Sequence, residues 1–324
     1  MSNFGKHLPV IVLVTILCFA HTCFAQKESV DSKDFPLLTG PYLGQEPPGK
    51  TPVKFAPEIL KYEFCAVFSP DGDEFYCAAY NPDPPEEECS IVCLKRVDNK
   101  WLEPEVTSFS SSYVEHDICM SHDGQRVFFR SDRPLEGNSE ARERFYLWSS
   151  SRTESGWSEA RPVAYSGKTD IPAGYPSITK DGTLYFGARI PGSVGPSDIH
   201  YSRFVDGSYT TPVNLGRQAN SDYGEGDMFI APDGSYLIVA CYQHPENNGE
   251  QDLYISFRKD DGSWTELTNM SEPINTEYGE NCPQVSPDGK WFFFNRYATE
   301  GLSEDGRGTY WVDAAIIESY RPED

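Results

Sequence analysis

Apolar residues in this chain come in short bursts, each ended by a cluster of turn residues, and the bursts recur at a nearly fixed interval. Five times an apolar stretch runs into an Asp-Gly pair and an aromatic or aliphatic stretch leaves it. The five sites are Phe68-Ser69-Pro70-Asp71-Gly72, Met120-Ser121-His122-Asp123-Gly124, Ile178-Thr179-Lys180-Asp181-Gly182, Ile230-Ala231-Pro232-Asp233-Gly234 and Val285-Ser286-Pro287-Asp288-Gly289. Their glycines are 52, 58, 52 and 55 residues apart. Pro presets φ at the first central position and Gly accepts the left-handed conformation that closes a short hairpin. Bursts this short are strands rather than helices, and a period of about 50 residues is the length of a four-stranded propeller blade.

Each repeat reads alike. A first strand approaches the turn, as in Cys282-Pro283-Gln284-Val285, and a second leaves it, as in Trp291-Phe292-Phe293-Phe294 or Arg126-Val127-Phe128-Phe129. A third follows a variable loop, for example Phe145-Tyr146-Leu147-Trp148 or Leu253-Tyr254-Ile255. A fourth is expected to begin at Trp101, Trp157, Tyr209 and Trp264. Strict alternation is weak in the second strands because both faces of a blade pack on neighbours. The fifth repeat lacks a fourth strand, whereas Thr51–Pro57 looks like one placed at the other end of the chain. The expectation is an all-β propeller of four-stranded blades over residues 51–324, with five blades favoured over six and the ring closed by an N-terminal strand. Closure of that kind removes an exposed sheet edge.

Ahead of this, Lys6 and His7 precede an apolar run from Leu8 to Ala20, and Cys23-Phe24-Ala25 ends the segment. Residues 1–25 read as a secretory signal peptide, too short for a membrane span; lipidation at Cys23 is the alternative. Residues 26–50 form an N-terminal extension long enough for a strand or tether. The expected location is extracellular or periplasmic, with no membrane span elsewhere. Fifty acidic residues against 27 basic ones give a net charge of −23, which repels nucleic acid.

Strand, Ser-Pro-Asp-Gly turn, aromatic strand and a later Asp-Ile/Leu-aromatic strand (Asp198-Ile199-His200-Tyr201, Asp252-Leu253-Tyr254) resemble the WD40-like (PD40) repeats of TolB-type propellers. The resemblance runs from about residue 60 onward. It implies the propeller and leaves the activity open, since that family includes periplasmic scaffold proteins, propeller domains attached to peptidases and sugar-linked proteins. This chain shows five repeats and is expected to lack the extra N-terminal domain of TolB.

Alignment on the turn glycine brings out candidate site residues. Nine positions before it stand Glu63, Glu115, Ala173, Glu225 and Glu280; two positions later come Cys65, Asp117, Tyr175, Asp227 and Cys282. Tyr113, Tyr223 and Tyr278 lie eleven before the glycine. The inner strand of a blade lines the central channel, so the glutamates are expected at its mouth. There they either accept hydrogen bonds from the fold or form a polar funnel for a hydroxyl-rich ligand or a cation. Calcium is the hard cation that several carboxylates would suit. Arg130, Arg189 and Arg296 end second strands on the same face, either pairing with acids between blades or holding an anionic group. His116, beside Glu115, is the candidate for proton transfer. No nucleophile elbow, Ser-His-Asp order or phosphate-binding glycine loop is present, and no cofactor is implied.

Beyond residue 25 the chain has seven cysteines. Cys65 and Cys282 hold equivalent positions in the first and last repeats, which are neighbours only if five blades close the ring. They are then a candidate disulfide, with two buried thiols as the alternative. Cys77 and Cys93, on adjacent strands of one blade, are a second candidate pair. The leading reading is an exported binding or scaffolding propeller that takes a protein or glycan at its acidic channel face. The alternative is a carbohydrate-active hydrolase or lyase acting there on an anionic glycan.

Overall fold

The computed structural model describes residues 35–60, 63–80, 89–136 and 144–322. The signal-peptide reading of residues 1–25 lies outside them. From Leu37 onward the chain forms one compact unit.

Five antiparallel sheets make five blades. Their inner strands are Glu63–Phe68, Glu115–Met120, Ala173–Ile178, Gly224–Ile230 and Gly279–Val285. The Asp-Gly turns lead to the second strands, with the glycine at φ between 68° and 84° in all five. In four turns a Ser or Thr hydroxyl donates to the Asp carboxylate, as Ser69 does to Asp71 at 2.5 Å. Ala231 occupies that position in the fourth blade, where Asp233 instead accepts from Ser235.

The fifth blade is completed from the other end of the chain. Val53 and Lys54 pair with Trp311 and Tyr310 on its third strand, Gly308–Asp313. The extension does more than tether. Leu38 and Gly40 accept hydrogen bonds from the backbone and indole of Trp101 in the first blade. Two residues on, Tyr42 packs among Phe68, Trp291, Phe293 and Trp311 of the first and last blades. An apolar seam therefore reinforces a closing strand only two residues long.

The expected fourth strands need correction. Trp101, Trp157 and Tyr209 end short hairpins (Lys100–Trp101, Gly156–Trp157, Ser208–Tyr209), and Trp264 makes a single bridge to Arg258. Trp101, Tyr209 and Trp264 are buried, which suits a large aromatic better than a half-exposed outer edge. The outer strands follow a few residues later, at Glu105–Val106, Arg161–Pro162, Val213–Asn214 and Thr268–Asn269. Among the described residues no helix is long and apolar enough to cross a membrane.

The near-identical segments 220–225 and 275–280 are joints between blades. The carboxamide of Asn220 accepts from the Ile199 N–H at 2.6 Å and donates to the carbonyl of the same residue. One blade further on, Asn275 does the same to Leu253 at 2.9 and 2.8 Å. Each loop entering a new blade thus pairs the backbone of the previous blade's third strand, as buried polar groups require.

Candidate functional site

All five inner strands carry a β-bulge, between Phe64 and Val67, His116 and Cys119, Gly174 and Ser177, and Asn281 and Gln284 at one repeat position, and one residue earlier, between Glu225 and Met228, in the fourth blade. In four of them the bulged residue is a non-glycine in the left-handed region: Cys65 (φ 48°), Asp117 (54°), Tyr175 (57°) and Cys282 (50°). That conformation costs about 1–3 kcal/mol per residue and collects at functional sites. The bulge re-aims these side chains and Asp227 toward the middle of the ring. There Cys65, Asp117, Tyr175 and Asp227 line one cavity of about 400 Å³, together with Phe64, His116, Arg130, Ser197, Tyr242, Gln251 and Asn281.

Cys65 and Cys282 are joined by a disulfide, with Cα atoms 4.9 Å apart, across the seam between the first and last blades. Asp117 Oδ1 lies 3.6 Å from the Cys65 sulfur; Asp227 Oδ1 is 3.8 Å from the same sulfur and 3.6 Å from that of Cys282. Both carboxylates therefore flank the bridge. Cys77 and Cys93 are not joined. Cys77 stands opposite Val92 and Cys93 opposite Tyr76, so the two side chains project from opposite faces of their sheet.

The two aspartates differ in surroundings. Asp117 is 7% exposed and has His116 Nδ1 at 2.7 Å and Arg130 Nη1 at 3.6 Å. Burial pushes its carboxyl up, but His116 and Arg130 outweigh this and hold it below the usual carboxylate range. Asp227, 9% exposed, is raised well above that range by burial and by the charge of Asp117, with Arg130 only partly offsetting them. The two carboxyls, side by side in one site, are thus pushed in opposite directions. Arg130 is clamped in turn, its guanidinium 4.0 Å from the ring centre of Phe145 and 5.1 Å from that of Tyr175. Gly174 makes room for it: a Cβ there would stand 2.9 Å from Arg130 Cδ. Three atoms of these cavity-lining residues are buried without a hydrogen-bond partner: Asp117 Oδ2, Arg130 Nε and Glu225 Oε2.

The glutamates have other duties. Glu115, Glu225 and Glu280 are fully buried. Each accepts from a Ser or Thr four residues earlier, through both its hydroxyl and its backbone N–H: Ser111, Ser221 and Thr276. Arg133 adds an ion pair to Glu115, and Arg296 holds Glu280 at 3.0 Å while donating to the carbonyls of Pro273 and Ile274. Glu225 has no such cation, and burial pushes it up to about 8; Glu280, with Arg296 beside it, rises to about 7. Glu63 begins the first inner strand. Glu115, Glu225 and Glu280 thus fix the loops entering their blades through the protein's own donors.

Of the remaining sequence candidates, His116 and Arg130 reach the cavity. Arg189 is exposed and Arg296 is spent on the joint, so neither joins Arg130 there. Tyr223 packs on the His244 ring, and the Tyr278 hydroxyl donates to the Ser303 carbonyl. Sequence reasoning passed over Tyr175, although it stands in the same aligned column as Asp117 and Asp227. Gln251 and Asn281 carried no repeat signal at all. Tyr80 stacks on Phe64 with ring centres 5.0 Å apart, and Tyr80 and Tyr242 are about two-fifths exposed at the rim.

No family model matches the chain, and no curated protein matches it. Solved structures share its fold. The chain is similar to a glycoside hydrolase (13% identity, TM-score 0.54, covering 87% of this chain and 94% of the other). It is also similar to an α-L-arabinofuranosidase from Lactobacillus brevis (14%, 0.53, 79% and 91%) and to a putative TolB from Agrobacterium tumefaciens (15%, 0.50, 75% and 73%). At such identities the likeness establishes the β-propeller architecture.

Proposed function

We propose that this is an exported propeller that binds a hydroxyl-rich ligand, a sugar unit of a glycan, in the cavity at the channel mouth. The observation that carries this reading is the set of unpartnered buried atoms, Asp117 Oδ2, Arg130 Nε and Glu225 Oε2, at a cavity of about 400 Å³. A buried polar atom without a partner costs about 1–3 kcal/mol, which a ligand hydroxyl would recover. The volume lies within the usual range for small-molecule sites, and exposed Tyr80 and Tyr242 offer aromatic faces at the rim. Arg130 already faces Asp117, so a neutral sugar suits the cavity better than an acidic one. Export accords with a disulfide between Cys65 and Cys282.

Calorimetric titration with a panel of neutral and acidic mono- and disaccharides tests the reading. Neutral sugars should bind, and Arg130→Ala should weaken them about tenfold or more, as expected for losing a charged hydrogen-bond partner. Equal or absent binding across the panel in the wild-type protein would count against it.

The aspartate pair supports a second reading, glycoside hydrolysis. A neutral carboxylic acid next to an ionised carboxylate is the pairing that proton donation to a glycosidic oxygen and activation of water require. Asp227 would be the acid and Asp117 the base. Asp227→Asn should then abolish turnover of aryl glycosides while sugar affinity is kept; binding without turnover in the wild type leaves the binding reading alone.

A further inference from the structure

The sulfur atoms of Cys65 and Cys282 and the carboxylates of Asp117 and Asp227 meet in the middle of the ring, beside the seam between the first and last blades. We infer that these four side chains form a thiolate–carboxylate site for one divalent cation of the zinc class whenever the Cys65–Cys282 bond is reduced. The site goes beyond the sugar reading and does not depend on it.

Geometry supports this first. On a tetrahedral zinc, a sulfur at about 2.3 Å and an oxygen at about 2.0 Å stand roughly 3.5 Å apart. The corresponding separations here are 3.6 Å for Cys65 to Asp117, 3.8 Å for Cys65 to Asp227 and 3.6 Å for Cys282 to Asp227. Cys65, Cys282 and Asp227 already stand close enough to share one ion once the two sulfurs part, and Asp117, beside Cys65 but not within ligating distance of all three, must turn inward to become the fourth ligand. The second support is an unfilled acceptor. Asp117 is more than nine-tenths buried; its Oδ1 faces the Cys65 sulfur, and its other oxygen, Oδ2, has no hydrogen-bond donor, only the Arg130 Nη1 charge at 3.6 Å. A disulfide sulfur carries no proton to give, so the bridge satisfies neither carboxylate.

Soft thiolates favour borderline-soft zinc over the hard ions calcium and magnesium. Two thiolates and two carboxylates around a divalent ion leave a charge of −2, which Arg130 beside Asp117 partly offsets. His116, donating to Asp117 Oδ1 at 2.7 Å, would orient that carboxylate as outer groups commonly do at metal centres. The chemistry balances in two stages. A dithiol, or a phosphine with water, supplies two electrons and two protons to the disulfide, giving two thiols and the oxidised reductant. Binding the cation then releases both thiol protons, together with the proton that burial and Asp117 favour on Asp227. The buried Cys89, Cys93, Cys119 and Cys241 stand outside this cluster.

The test uses the full chain, metal-free and without sugar, titrated anaerobically with Co²⁺ before and after phosphine reduction. The reduced protein should take up one Co²⁺ with thiolate-to-cobalt charge-transfer absorption, displaced by Zn²⁺, and the oxidised protein should show none. Cys65→Ser should abolish the absorption. Asp227→Asn keeps the disulfide, so its folding is checked in the oxidised state, and after reduction it should bind about tenfold more weakly or worse. No absorption in the reduced wild type, or absorption unchanged in both variants, overturns the inference. Neither result bears on sugar binding by the oxidised protein.

Discussion

Removing the Cys65–Cys282 bridge should be among the most destabilising changes available in this fold. The bond links residues 217 apart in sequence and lies across the seam where the ring closes. Loop-closure entropy for a loop of that length gives about 5 kcal/mol at 25 °C, against about 3 for a 15-residue loop. The other devices at the seam do not substitute for it: the two paired residues Val53 and Lys54 and the aromatic cluster around Tyr42 stabilise only the folded ring. The double variant Cys65→Ser/Cys282→Ser avoids leaving one thiol unpaired. Urea unfolding followed by tryptophan fluorescence should show the midpoint falling by about 1–2 M, and the slope rising because the released unfolded chain exposes more surface. The wild type in reductant should reproduce the variant's curve. A loss below about 1 kcal/mol, with identical wild-type curves in oxidising and reducing buffer, would refute the reasoning.

Three further outcomes follow from the same geometry. Asn275→Ala leaves the backbone N–H of Leu253 buried without its partner, while the Leu253 carbonyl keeps the Met270 N–H, so unfolding should become easier by about 1–3 kcal/mol, while the exposed Asn248→Ala should change little. Glu225, with a folded value of about 8 against an ordinary 4.5, holds its proton in the native state over a range where the unfolded chain has lost it. Stability should therefore fall as pH rises from about 5 to about 8, and Glu225→Gln should flatten that part of the melting-temperature profile; an unchanged slope would remove Glu225 as its source. Gly174→Ala puts a methyl 2.9 Å from Arg130 Cδ, so it should displace Arg130 and weaken sugar binding about as much as Arg130→Ala does, with little loss of fold.

The repeat was legible in sequence because its determinants are local. Pro, Asp and Gly dictate the turn at each Asp-Gly site wherever it falls, and the spacing counts the blades. Ring closure was legible for a related reason, since Thr51–Pro57 matches a segment missing from the last repeat. The cavity was only half legible. Asp117, Asp227, Cys65 and Cys282 stood in one aligned column, but nothing in the residue types announces a bulge with left-handed φ at Cys65, Asp117, Tyr175 and Cys282. An unbulged strand would send alternate residues to opposite faces, and the glutamates two positions earlier then look equally exposed to the channel. Their real partners, Ser111, Ser221 and Thr276, are four residues back along the chain and become neighbours only when the entering loop folds over. Gln251 and Asn281 come from unrelated repeat positions, and only the closed ring assembles them with the rest. The Cys77–Cys93 pairing failed on register: one residue of offset puts the two thiols on opposite faces of the sheet.

A crystal structure of the oxidised protein soaked with the best neutral sugar of the panel tests the central claim most directly. The account predicts a sugar ring in the cavity at the channel mouth, with hydroxyls within hydrogen-bond distance of Asp117 Oδ2 and Arg130 Nε. Sugar density at the outer rim of the blades, with that cavity left to water, would contradict it.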